Sequence, residues 1–251
     1  MYHGGGKGDI APAMVKRIRV EVTLFTWCLT LLVEGLISMR LFFSVFIMLM
    51  ATSQVYAHNV WLERDGQGPV RVYFGHYDNG MVEKTGERLD IIKAETVLPS
   101  GALVSRQRLQ DHIALTVGHA GDVALEEAML PRKSRTKQEI LRNIFMARCG
   151  NGQTVALLNL DLVPEAPDSN TFKLLLEGQP LPKTKITVYD PERTKQVYTT
   201  DDSGRVVIDT QVHGRYLLLT SSVLDRSGTV KDIPFDKTRY ILSLSFVAQN
   251  H

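Results

Sequence analysis

The sequence predicts an all-β protein: two β-sandwich domains behind an N-terminal signal peptide. Three observations carry that expectation. Short apolar segments alternate with polar residues from position 58 onward, turns rich in Gly, Pro, Asn and Asp separate them, and long apolar runs are gathered in the first 57 residues.

The N-terminal runs are "TLFTWCLTLLVEGLIS" and "MRLFFSVFIMLMATSQVYA". From Met39, Arg40 supplies a short positive region, "LFFSVFIMLM" an apolar core, and "VYA" the small residues that a signal peptidase reads. Cleavage is therefore expected between Ala57 and His58, with export to the periplasm. An apolar core of about ten residues is short against the roughly 20 that a membrane-spanning helix needs. The alternative is a retained anchor, but Glu34 and Arg40 interrupt any continuous span through the two stretches. Residues 39–57 thus read as the signal peptide. Residues 1–38, whose "MYHGGGKGD" matches no folded element, read as an over-extended N-terminus preceding a natural start at Met39.

The chain has 251 residues, 44% hydrophobic and 22% charged, with a formal net charge of +2, the balance of an ordinary globular protein. Of its 29 basic and 27 acidic residues, five and three lie in 1–57, so processing leaves 24 of each. A near-neutral mature chain argues against a polybasic patch for nucleic acid or anionic lipid, and no nucleic-acid partner is expected. Cys28 is lost on processing, so Cys149 stands alone and forms no internal disulfide. Between "NIFMAR" and "GNGQ" it reads as a small buried residue near a turn rather than as a catalytic thiol.

The elements of the mature chain follow in order. "NVWL" begins the first strand, with Trp61 and Leu62 packing a first core layer. "PVRVYFGH" sets Val70, Val72 and Phe74 against Arg71 and Tyr73, the period of a strand with one buried face. "HIALTVGHAGDVALEEAML" supplies two strands split at "GHAGD". "KQEILRNIFMARCG" carries Ile140, Leu141, Ile144 and Phe145 at helical spacing and predicts one short helical insertion. After the Pro-rich "NLDLVPEAPDSN" the alternation becomes cleaner, with turns at "EGQPLP", "DPER" and "DDSGR" and a closing strand "RYILSLSFV". We place the domains at 58–163 and 164–251. Asp201, Asp202 and Ser203 match no EF-hand spacing and read as a hairpin turn, as does His213 before Gly214.

No HExxH, CxxC, GxSxG, P-loop or GxGxxG pattern is present in the mature portion, so no standard catalytic signature marks an enzyme. What remains is histidine. Cleavage after Ala57 would give His58 a free α-amine, and amine plus ring Nδ1 can chelate one metal ion. The unperturbed amine pKa, near 8, leaves modest proton competition at neutral pH. An imidazole from His76 or His119 would complete a three-nitrogen set suited to Cu(II), Ni(II) or Co(II). Both of those histidines sit at strand ends beside Gly and Asp, where a plain surface histidine is also ordinary. His112 after Asp111 reads as surface, and Glu83 and Asp78 are possible oxygen donors in what is otherwise a solvated loop.

The stretches "AHNVWLERDGQGPVRVYFGH" and "LVPEAP...FKLLLEGQPLPKTKITVYD...YTTDDSGRVVID...HGRYLLLTSS" resemble the DUF4198 family of bacterial exported proteins. The resemblance spans about 58–247. It implies two β-sandwich units, the second transthyretin-like or carboxypeptidase-regulatory-like. It also implies a periplasmic role in nickel or cobalt uptake beside an inner-membrane transporter or an outer-membrane receptor, with His58 and then His76 carrying the family role. The central "LPRKSRTKQEILRNIFMARCGNGQ" departs from the family pattern. Two other readings stand beside this one: a copper oxygenase with a histidine-brace site, and a non-catalytic structural or carbohydrate- or peptide-binding sandwich.

Overall fold

The computed structural model describes residues 58–134 and 137–248. The expected signal peptide at 39–57 and the segment before it, together with His251, therefore lie outside the described residues. Among those described, no helix is long and apolar enough to cross a membrane.

The chain is all-β. β1 (Asn59–Glu63) and β2 (Val70–His76) form an antiparallel hairpin, and β3 (Met81–Val82) turns back against the end of β2. A 3-10 turn at Arg88–Ile91 leads to β4 (Thr96–Leu98), and β5 (Leu103–Arg108) and β6 (Ile113–Val117) form a second hairpin. β7 (Val123–Ala128), β8 (Arg132–Lys133) and β9 (Ile140–Cys149) follow. β10 (Leu160–Pro164), β11 (Thr171–Leu176) and β12 (Gln179–Pro180) come next, then β13 (Lys185–Tyr189), β14 (Lys195–Thr199) and β15 (Arg205–Val207). The chain closes with β16 (Gly214–Leu224), the small hairpin β17 (Gly228–Val230) and β18 (Ile233–Phe235), and β19 (Lys237–Ala248).

A central sheet runs β14-β13-β16-β19-β9-β7-β4, with β8 paired to β9. Its β19–β9 pair is parallel, joining Lys237–Ser245 to Leu141–Cys149. One sheet, β1-β2-β6-β5 with β3, packs on one face of it; β10-β11-β12 with β15 packs on the other. The alternation along β9 shows how one sheet serves two cores. Ile144 and Met146 point into the core shared with Leu160, Leu162, Phe172 and Leu174, whereas Phe145, Ala147 and Cys149 point into the core shared with Val60, Leu62, Val72 and Phe74.

That double burial corrects the predicted helix at "KQEILRNIFMARCG": residues 140–149 are strand β9. A central strand covered on both faces carries apolar residues at consecutive positions, and the period-2 signal disappears. Ile144 through Cys149 are all buried, so a fragment of the run matches helical spacing by coincidence. The other predicted strands are observed, among them "VRVYFGH" as β2 and "KITVY" as β13. Residue 163 falls inside β10, and the central sheet takes strands from both sides of it.

The first sheet meets the central one through its edge strand. Ser243 Oγ donates to the Val60 carbonyl at 2.7 Å and Ser245 Oγ donates to the Leu62 carbonyl. These hydroxyls satisfy carbonyl groups that the free side of β1 would otherwise bury without partners. Trp61, on the opposite face of β1 from Leu62, packs in a separate cluster with Tyr77, Tyr189 and Leu217.

Candidate metal centre

The register of one hairpin brings the two N-terminal histidines together. β1 pairs β2 with Val60 opposite Phe74 and Asn59 opposite Gly75; one step further, His58 lies opposite His76. Period-2 alternation puts both on the face that carries Val60, Leu62, Val72 and Phe74. Their ring centroids are 4.2 Å apart with planes tilted by 56°. Phe74 lies beneath His58 at 5.0 Å and contacts Phe145 of the central sheet edge-on at 5.8 Å. The pair therefore sits at the open end of the first core, on an aromatic floor.

The return strand supplies a carboxylate. β3 sets Met81 opposite His76 and Val82 opposite Gly75, and the Glu83 N–H donates to the Phe74 carbonyl at 2.7 Å. Glu83 is thus delivered to the same face, 9% exposed, where its Oε1 forms a short hydrogen bond with His58 Nε2. Gly75 makes the close return possible, because a Cβ there would stand 2.1 Å from the Met81 carbonyl oxygen. Arg88, from the 3-10 turn, reaches Glu83 Oε1 with its Nε at 3.7 Å.

Burial lowers the His58 pKa from its ordinary value; the Glu83 hydrogen bond opposes this, and the charges of Arg88 and His76 reinforce it. The ring is held toward its neutral form, the form that ligates metals. Glu83 orients the ring through Nε2 and leaves Nδ1, the nitrogen nearer the backbone, for other use. A carboxylate on the far nitrogen of an imidazole is the usual second partner of a metal-bound histidine.

His119 is placed elsewhere. Its carbonyl accepts a hydrogen bond from Arg64 at 2.9 Å and its Nε2 lies 3.3 Å from Gln153 Nε2. Arg64 follows the far end of β1, six residues from His58, or about 20 Å at the rise of an extended strand. His119 and His58 are not brought together. His112 Nδ1 pairs with Asp111 at 2.7 Å, and His213 Nδ1 lies 2.7 Å from the Ala248 carbonyl. Asp201 closes its own turn, accepting from the Ser203 and Arg205 N–H groups. Cys149 is buried, and burial raises its thiol pKa to about 11, which leaves it protonated at neutral pH.

Among the described residues, no three side chains of His, Cys, Asp and Glu are arranged to hold a metal ion by themselves. The cluster consists of two imidazoles and a carboxylate already committed to one of them. Sequence reasoning included Glu83 only as a loop carboxylate and missed Arg88 and the Phe74 floor. Their placement depends on how β3 returns, which no local pattern encodes.

The class defined so far is a layered all-β protein with a histidine pair and a buried carboxylate at one end of a sandwich. No family model, no curated protein and no solved structure matches the chain. The resemblance to DUF4198 rests on the quoted motifs alone.

Proposed function

We propose that the chain is a periplasmic protein that binds nickel, cobalt or copper and assists uptake or delivery of that metal without turnover. The observation that supports this reading is the 4.2 Å approach of the His58 and His76 rings beside Glu83. In the unprocessed chain the His58 nitrogen is an amide. After cleavage at Ala57–His58 it becomes an amine, and amine, His58 Nδ1 and a His76 ring nitrogen make the three-donor set that the side chains alone lack. Glu83 fixes the ring that does the chelating. The transporter or receptor served by the metal is that implied by the family resemblance.

The test compares two chains, one starting at His58 and one carrying an extra methionine before it. Calorimetric titration with Cu(II), Ni(II) and Co(II) should show much weaker binding by the blocked chain. Equal affinities would remove the His58 amine from the site. A copper oxygenase would use the same donors, and peroxide-dependent oxidation of a glycan by the copper-loaded protein would move the reading to that class.

A further inference from the structure

A second site lies where the first sheet stops short of the central one. β1 crosses over β19, its carbonyl groups held by Ser243 and Ser245, and leaves β13 and β16 projecting beyond it as a ledge. At one end Trp61 and Tyr77 cover the ledge by packing on Tyr189 and Leu217. At the other end no described residue covers the ledge, and a groove of about 330 Å³ opens between Asn59 and the strands below. That volume accommodates a small molecule.

The lining is chemically one-sided. Lys185 and Arg239 are its charged groups, and no acidic side chain lines it. Thr187 and Ser221 offer hydroxyls, while Leu219 and Ile241 give an apolar patch on the floor. Arg239 Nη2 donates to Ser221 Oγ at 3.3 Å, and its Nε is buried with no hydrogen-bond partner. Arg71 and Arg142 share the unpartnered Nε, but Arg71 is anchored by Asp65 through its Nη2 at 2.7 Å, and Arg142 lies over the Phe235 ring at 5.7 Å, away from the groove lining. Among the described residues no carboxylate engages any nitrogen of Arg239 or the ammonium of Lys185. Elsewhere in the protein the guanidinium groups of Arg148, Arg205, Arg215 and Arg226 all meet carboxylates. A guanidinium that no carboxylate neutralises, lining a groove beside a second cation, is an arrangement that attracts an oxyanion.

We propose that this groove binds a small hydroxylated organic anion. Its carboxylate or phosphate would lie against Arg239 and Lys185, its hydroxyls against Thr187 and Ser221, and its carbon skeleton on Leu219 and Ile241. The site uses none of the donors of the histidine cluster, so it stands whether or not that cluster binds metal.

The test is calorimetric titration of the full chain at low salt with gluconate, inorganic phosphate and glucose. Saturable one-to-one binding of an anion is expected, weakened at least tenfold by Arg239→Gln and by Lys185→Gln, and unchanged in His76→Ala. Tighter binding of gluconate assigns the carboxylate; tighter binding of phosphate assigns the phosphoryl group. Lys185 is exposed, so its variant keeps the test decisive if the Arg239 variant fails to fold. Absence of saturable binding by either anion, binding of glucose as tight as that of gluconate, or full affinity in Lys185→Gln would overturn the proposal.

Discussion

Replacing Arg148 by Met should destabilise the protein more than any surface change. Arg148 is fully buried, with its Nε and Nη2 on Asp122 Oδ2 at 3.2 and 2.5 Å and its Nη1 on Asp161 Oδ2 at 3.0 Å. It also donates to the carbonyl groups of Gln153 and Val155, so one side chain holds the connection between β9 and β10. Burial raises the pKa of Asp161, and the Arg148 charge works against that rise. Met fills much of the volume but leaves two buried carboxylates without a cation. Removing one partner of a buried ion pair costs about 3–5 kcal/mol. For a folded unit of this size each kcal/mol lowers Tm by roughly 2–4 °C, so a fall of roughly 6–20 °C is expected. Without the guanidinium the Asp161 pKa rises further, and the penalty for its charged form is present above the unfolded carboxylate pKa. The variant should therefore lose more relative to wild type at pH 8 than at pH 5. Thermal melts followed by far-UV circular dichroism at both pH values make the measurement. Adding Asp122→Asn and Asp161→Asn should recover part of the loss. A Tm within about 3 °C of wild type at both pH values would refute the electrostatic account.

Three further outcomes follow from other sites. Glu83→Gln weakens the charge-assisted partner of His58 and should lower metal affinity of the chain starting at His58 by roughly 10–100-fold; unchanged affinity by calorimetry would disconnect Glu83 from the site. Glu127 accepts hydrogen bonds from the Lys93 and Ala94 N–H groups, and burial raises its pKa in the folded state. Its charged form thus opposes folding, with no effect below the unfolded carboxylate pKa and a growing cost as pH rises toward and past the folded value. The Tm difference of Glu127→Gln from wild type should accordingly become more favourable between pH 4 and pH 7, and a constant difference would contradict the sign. Cys149, buried with its thiol pKa near 11, should resist Ellman's reagent at pH 8 in the native protein and react at once in denaturant; rapid native reaction would show that the end of β9 opens.

How much of this was legible in advance depends on the range of the interactions involved. "VRVYFGH" announces β2 because one side of that strand meets a core and the other does not, so burial prints itself on alternate residues. β9 carries no such print, since cores on both faces make its residues buried in succession. The His58 and His76 candidates were visible as residue types. Their meeting was decided by the hairpin register, and the arrival of Glu83 by the return of β3 against Gly75.

The sequence alone determined the strand-rich character of the chain, most of its turns and the residue types available for metal chemistry. These depend on neighbours within a few positions, where backbone preference and side-chain alternation act directly. Only the tertiary structure decided that His119 stands apart from His58, that β19 joins β9 in parallel to give two cores one shared sheet, and that Arg239 and Lys185 flank an open ledge. Those outcomes arise from pairings between segments distant in the chain. Their stability comes from apolar burial and from hydrogen bonds that no single segment can make by itself.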